Sequence, residues 1–335
     1  MSAIARVAVA VAAASGAALV GLGYWFSEFA LNKDSKAFSV AVKTEVQPTD
    51  AELAMLDERA AENRKRLKAD AAAWLDSVDV VPCTINSDDG LRLYGETIEH
   101  GDETHRWAVL LHGFRGSGSH DMVVHAHALY NGGYNILWMD LRSCGQSEGV
   151  YTTMGEREST DLIRWLEWLK RHDPEAEAMV LGVSLGAATA LMAIGKGLPD
   201  MVKCIVSDCA YSSLREEYAD KIEKAYHGVN PDLLLGIGDL SLRARFGFSL
   251  DDIDLRRVLA NNTLPVLYIH GDADDFNPYW MHFELLQADD CADKAFLNVH
   301  GARHARNVYM EPERYWQTLF AFCDRHFETP PAETA

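Results

Sequence analysis

MVLGVSLGAATALMAI, residues 179–194, is an apolar run that bends through Gly182-Val183-Ser184-Leu185-Gly186 into a stretch rich in alanine. Met179–Val183 has the length and content of a buried strand, and Ala187–Ile194 those of a helix. A strand that turns into a helix this sharply strains the residue at the bend, and glycines two places before and after it remove side chains that would collide. Ser184 is therefore expected to stand at the helix N-terminus, as in a nucleophile elbow. The competing reading, a plain glycine-rich turn, is separated from this one only by finding partners for the serine.

Outward from this turn, short apolar runs alternate with helical patterns. Strands are expected at 83–86, 91–98, 108–112, 135–140, 179–183, 204–208, 266–270 and 295–299, the first two joined through Asp89-Gly90. Helical stretches between most of them, such as Glu156–Arg171 with Leu162, Trp165, Leu166 and Leu169 on one side, call for a mostly parallel eight-stranded sheet with helices on both faces. The first hairpin forms its antiparallel edge. Ser213–Asn262 is a short helical insert before the seventh strand, with helices expected near 214–226 and 231–246. Its Leu234, Leu235, Phe246 and Phe248 suit core packing better than a pocket lining.

A serine hydroxyl needs a base, and the base an orienting carboxylate, in the chain order Ser, acid, His. His304 follows the strand ending at His300 and is the expected general base. His270 and His300 end strands and are expected to be buried and hydrogen-bonded; His120, His125 and His127 lack the helical i, i+4 spacing of a metal pair. Asp272, Asp274 and Asp275 share the loop after the seventh strand, and spacing alone does not choose among them. The trio lacks the downstream glutamate of a calcium loop. Asp208 ends another strand and is read as structural. The developing oxyanion needs backbone donors, assigned to Leu185 after the serine and Phe114 in His112-Gly-Phe-Arg-Gly-Ser-Gly118. That loop has neither the GK[ST] of a P-loop nor GxGxxG spacing. No cofactor or metal site is expected.

The same residues resemble the α/β-hydrolase superfamily, in particular bacterial, often membrane-anchored members near the serine-aminopeptidase and monoglyceride-lipase-like branches. The likeness spans about residues 85–325. It rests on Ser87-Asp-Asp-Gly90, Leu111-His-Gly-Phe114, Asp140-Leu-Arg-Ser-Cys-Gly-Gln-Ser147, Gly182-Val-Ser-Leu-Gly186, His270-Gly-Asp-Ala-Asp274 with Pro278, and Gly301-Ala-Arg-His304. It implies the α/β-hydrolase fold, Ser184 as nucleophile, His304 as base, and Phe114 and Leu185 as oxyanion donors; the choice of Asp274 as acid rests on the resemblance. Two positions depart from the pattern: Ser143-Cys144 replaces a Gly-His pair, and Asn277 a small apolar residue. The implied activity is hydrolysis of a small-molecule ester, with an aminopeptidase or amidase and a non-catalytic binding protein of the same fold as alternatives.

Val7–Phe26 runs VAVAVAAASGAALVGLGYWF without a charge. As a helix of about 1.5 Å per residue it would reach across a hydrocarbon core of about 30 Å, so a single-pass transmembrane helix is expected, with Tyr24 and Trp25 at the interface. A cleaved signal peptide is the alternative. Arg6 before the run and Lys33, Lys36 and Lys43 after it oppose one another, which leaves the membrane face open and an extracytoplasmic body allowed. Thr49–Leu75, with Thr49 three residues before Glu52, reads as a capped helix. Its Leu53, Leu56, Ala60, Leu67, Ala71 and Trp74 roughly share a face that would dock on the body. The expected organisation is thus an anchor at 1–30, a helical juxtamembrane segment at 31–80, a catalytic domain at 81–328 and a disordered tail at 329–335.

The 335 residues carry 50 acidic against 31 basic side chains, a formal net charge of −19, which repels phosphate backbones and makes nucleic acid an unsuitable partner. Protein partners are not indicated. Six cysteines with no CxxC pair or zinc spacing read as buried thiols.

Overall fold

A computed structural model describes residues 18–35, 51–101, 104–225, 228 and 230–328. Eight strands, β1 (Val81–Asn86), β2 (Arg92–Ile98), β3 (Arg106–Leu111), β4 (Asn135–Met139), β5 (Glu177–Val183), β6 (Val202–Asp208), β7 (Val266–Gly271) and β8 (Lys294–Val299), form one sheet. Their order is β1-β2-β4-β3-β5-β6-β7-β8. The β1–β2 and β2–β4 pairs are antiparallel and every later pair is parallel, so the first hairpin is the antiparallel edge.

Strands β3, β4 and β5 are buried throughout because both sheet faces are covered, and their side chains divide with period two. Trp107, Val109, Leu137, Met139 and Val180 enter one core layer; Ala108, Leu110, Ile136, Trp138 and Leu181 enter the other. The longer helices are α1 (18–31), α2 (Ala51–Leu75), α3 (Val123–Asn131), α4 (Glu156–His172), α5 (Leu185–Ile194), α6 (Leu214–Ala225), α7 (Pro231–Phe246), α8 (Tyr279–Ala288) and α9 (Pro312–Cys323). The first layer lies beneath α1, α4, α5, α6, α7 and α8, and the second beneath α2, α3 and α9. In α4 the stripe Leu162, Trp165, Leu166 and Leu169 is at most 1% exposed; each such side chain contributes about 1.5–3 kcal/mol.

The N-terminal expectations fall only partly on described residues. Residues 7–17 of the expected membrane span lie outside the described residues, as do Thr49 and the tail 329–335. Among the described residues no helix is long and apolar enough to cross a membrane. The second half of the run instead folds into α1, whose Phe26, Ser27, Ala30 and Leu31 are buried on the body. Helix α2 docks as its apolar face suggested, with Ala60 and Ala71 buried and Trp74 stacked on His127 at 5.3 Å. Within the insert, Leu235 and Phe248 are core residues and Leu234 and Phe246 pack against them. The six cysteines are free thiols; Cys83 is only half-buried, since β1 is the edge strand.

Candidate active site

The bend between β5 and α5 is enforced by backbone crowding. A Cβ on Gly182 would overlap the backbone of Gly186 and Ala187, and one on Gly186 would overlap Leu111 O at the end of β3. Ser184 takes φ 56° and ψ −115°, a strained conformation for a side-chain-bearing residue. Its N–H donates to Asp208 O at 2.8 Å, which ties the bend to β6. Arg115, Cys209 and Ala305 also have positive φ, and each lies in a loop that follows a strand.

Three strand-end loops converge on this serine. His304 Nε2 lies 2.8 Å from Ser184 Oγ, and His304 Nδ1 lies 2.8 Å from Asp274 Oδ2. With Nδ1 protonated and donating to the Asp274 carboxylate, Nε2 is free to accept from the serine hydroxyl. Asp274 Oδ1 accepts the Phe276 and Asn277 N–H groups at 3.0 and 2.9 Å, and His270 Nε2 stands 3.3 Å from Oδ2. Burial would raise the Asp274 value, but the His304 charge and the hydrogen bonds from His270 and His304 drive it well below the ordinary carboxylate range. Burial likewise opposes a charge on His304, yet the Asp274 carboxylate and its hydrogen bond raise the imidazole above its usual value.

The other two acids of the loop go elsewhere. Asp272 binds His300 Nδ1 at 2.8 Å and the Gly301 N–H at 2.7 Å, while Asp275 reaches Arg303 at 3.7 Å. Three carboxylates with three separate partners do not converge on a common ion. His300 is exposed, contrary to expectation, because it faces outward at the turn after edge strand β8. Buried His270 donates from Nε2 to Asn277 O, 2.9 Å away. His120, His125 and His127 diverge: the first pairs with Asp121, the last stacks on Trp74, and buried His125, lowered to about 4 by desolvation, sits edge-on to Tyr315 and Trp316. Asp208 is held by Asn307 Nδ2 at 2.6 Å and Tyr315 Oη at 2.9 Å, away from His304. Among the described residues, Cys209, Asp274 and His304 bring possible ligand atoms within 4.8 Å of one another, and the last two are already bonded to each other.

On the opposite side of Ser184 runs the loop after β3. A Cβ on Gly113 would sit 3.5 Å from Ser184 Cβ, which puts the Gly113–Phe114 link alongside the serine. His112 orients this link: its Nε2 accepts Leu141 N–H at 2.9 Å, so its Nδ1 donates to Gly113 O at 2.6 Å, and burial keeps its value low. Asp140 accepts the Gly118 and Gln146 N–H groups at 2.8 and 2.7 Å. The departures in sequence find local reasons. Ser143 occupies φ 64°, where glycine is easiest, and is steadied by donating from Oγ to Tyr151 O at 2.7 Å. Asn277 Nδ2 donates to Cys209 O at 2.7 Å, fastening the acid loop to β6.

Two groups near the site carry no sequence motif. Glu217, on α6, is 2% exposed, and its nearest cation is Lys221 Nζ at 3.1 Å. Burial, only partly opposed by Lys221, raises Glu217 to about 7, and its charge acts on His304. Lys221 also donates to Phe276 O and lies 4.4 Å above the Phe276 ring, which packs 4.8 Å from the His304 imidazole. The second is Asp57 on α2, 3.0 Å from Arg303 Nε beside His304. Only a helical face and a lone charge marked these residues in sequence.

Residues 62–304 match the family described as X-Pro dipeptidyl-peptidase (S15 family). YqkD, an uncharacterized protein of Bacillus subtilis, is 29% identical over 199 residues, which cover 59% of this chain and 65% of that protein, slightly less than two thirds of its length. Among solved structures, a Pyrococcus furiosus esterase, Pf2001, superposes with a TM-score of 0.61 at 24% identity, over 75% of this chain and 92% of that one. An acylaminoacyl peptidase of Pyrococcus horikoshii superposes with a TM-score of 0.53 at 19% identity, over 73% of this chain and 41% of that one. At such identities the structural likeness establishes the α/β-hydrolase fold and leaves the substrate to the site itself.

Proposed function

This chain belongs to the X-Pro dipeptidyl-peptidase family (S15 family), and from that premise we propose that it is a carboxylic ester hydrolase working through an acyl intermediate on Ser184. The observation that carries the reading is the continuous relay Ser184 Oγ, His304, Asp274, with both links 2.8 Å long. His304 Nε2 takes the hydroxyl proton as Ser184 Oγ attacks the ester carbonyl, and the proton then goes to the departing alkoxide. Asp274 holds the Nδ1 tautomer and stabilises the imidazolium. The N–H groups of Leu185 and Phe114 receive the oxyanion, one from the start of α5 and one from the loop beside Gly113. Water, activated by the same imidazole, releases the acid.

A second reading, hydrolysis of an amide next to a free amino group, draws on the family's description and on Glu217, a buried carboxyl whose charge acts on His304. Labelling with a fluorophosphonate, located by mass spectrometry, tests the shared chemistry: an adduct on Ser184 that disappears in His304→Ala supports it, and a folded protein without adduct rejects it. Short p-nitrophenyl esters compared with aminoacyl p-nitroanilides then divide the two readings, and turnover of the anilides alone would defeat the ester.

A further inference from the structure

Helix α1 does not lie on the sheet alone; it runs side by side with α7 of the insert. Gly23 faces Ile237 and Ser241, Ser27 Oγ is 3.3 Å from Ser241 Oγ, and Glu28 binds Arg245 at 2.5 Å. Phe26 fills the notch left by Gly238 and meets Tyr218 of α6 edge-on at 6.1 Å. The partners advance in step along the two helices, so they are parallel and in register. One helical turn back from the Gly23–Ile237 contact come Leu19 on α1 and Leu233 on α7.

The outer surface of this pair is apolar. Leu19, Val20, Leu22, Tyr24 and Trp25 of α1 are 38–74% exposed, and Leu233 and Leu240 of α7 are 68% and 70% exposed. Isolated apolar side chains on a surface are ordinary, but a cluster from two adjacent helices marks an interaction face. Its charge is equally unlike the rest of a chain of net −19. Glu28 is neutralised by Arg245 and Asp239 by Arg243 at 2.9 Å, and the third acid of the two helices, Asp232, acts on Arg215 of α6. The eleven residues before α1, Val7–Ala17, carry no charge and lead directly into this surface.

We propose that the α1–α7 face is a membrane-docking surface, seated in the interfacial region of a lipid bilayer with low surface charge. Pairing of Glu28 and Asp239 lowers the cost of bringing the face to lipid, while the negative body disfavours an anionic membrane. The face differs from a simple tether. Were 7–26 a free span with the body hanging from it, Gly23 and Phe26 would have to leave α7. Because they are packed there, the bilayer must come to α7, and Leu233 and Leu240 share the contact with α1.

The test is co-sedimentation of the full chain with phosphatidylcholine vesicles, read without any substrate, so it stands or falls apart from the hydrolase reading. Leu233→Ser/Leu240→Ser should lower the partition coefficient at least tenfold, with circular dichroism and the thermal midpoint near wild type. Leu19→Ser/Val20→Ser, on the other helix of the face, should produce a loss of similar size. Unchanged partition in the α7 variant would overturn the proposal in favour of a tether made by the N-terminal run alone. Vesicle-independent association through the same residues, seen as a dimer by light scattering that the α7 variant abolishes, would overturn it in favour of a second copy of the chain.

Discussion

Ser184 and His304 meet across 2.8 Å, yet the loops that carry them are held differently. The serine loop is shaped by its own backbone: Gly182 against Gly186, Gly186 against Leu111, and the Ser184 N–H on Asp208 O. The histidine loop is shaped by side chains from distant parts of the chain. Asp274 binds the imidazole, Phe276 packs on it, Asp57 holds Arg303, and Asn63 Nδ2 donates to Tyr309 O at 3.0 Å. Backbone contact at close range admits almost no adjustment, whereas a set of side-chain contacts can lose a member and relax. One half of the site should therefore fail abruptly on mutation, and the other by degrees.

The largest effect tests the one point where the halves act as a unit. Ser184→Ala and His304→Ala should each reduce kcat/KM on an ester by roughly 10⁴–10⁶, and the double variant should be scarcely worse than either alone. Additive losses measured in the double variant would mean that the two residues do not share a step.

The difference between the loops also explains what could be read in the sequence. Close backbone approach requires glycine, so the serine loop advertises itself within five residues, and the all-apolar strands on either side identify a doubly covered sheet. His304 and the acid loop could be placed because both follow strands. The choice of Asp274 over Asp272 and Asp275 could not be made from spacing, since it depends on which carboxylate the fold aims at His304 and which go to His300 and Arg303. Glu217 and Asp57 were illegible for the same reason: each looks like an ordinary helix charge until another element is packed over it. The N-terminal run was legible as apolar, but hydropathy does not distinguish lipid from α7 as the surface that buries Phe26.

The abruptness of the serine loop is sharpened by Gly186→Ala. The added methyl has no space against the end of β3, and the strand cannot move without disturbing β5, so a loss of about 2–3 kcal/mol is expected in urea unfolding, together with most of the activity. A stable, active Gly186→Ala protein would show that the bend tolerates rearrangement and would erase the contrast.

On the histidine side, Glu217 supplies a pH-dependent test. Its value is raised in the folded protein to about 7 from an ordinary 4.5. Its contribution is complete below the unfolded value and is lost as pH rises through the folded one, because the unfolded carboxyl gives up its proton first. Relative to wild type, Glu217→Gln should gain up to roughly 2–3 kcal/mol of stability between pH 5 and pH 8. Parallel stability–pH curves for the two proteins would show that the buried carboxylate is better compensated than its surroundings imply.

Asp57→Ala should give the smallest effect and decides whether α2 is a cover or part of the site's support. The Asp57–Arg303 pair is largely shielded, with side chains 22% and 12% exposed, so its loss should cost more than a surface ion pair but leave α2 docked through Ala60, Ala71 and Trp74. A destabilisation of about 1 kcal/mol is expected, with kcat for an ester reduced several-fold and KM little changed, because the Arg303 backbone leads directly into His304. Asp57→Asn, which keeps an acceptor for the guanidinium, should recover part of kcat. If both variants lose stability without any change in kcat, α2 merely covers the second core layer and the histidine loop is held by Asp274 and Phe276 alone. A fall in kcat that asparagine partly reverses would instead make α2 a positioning element for the imidazole, acting through the Asp57–Arg303 pair without touching the reacting atoms.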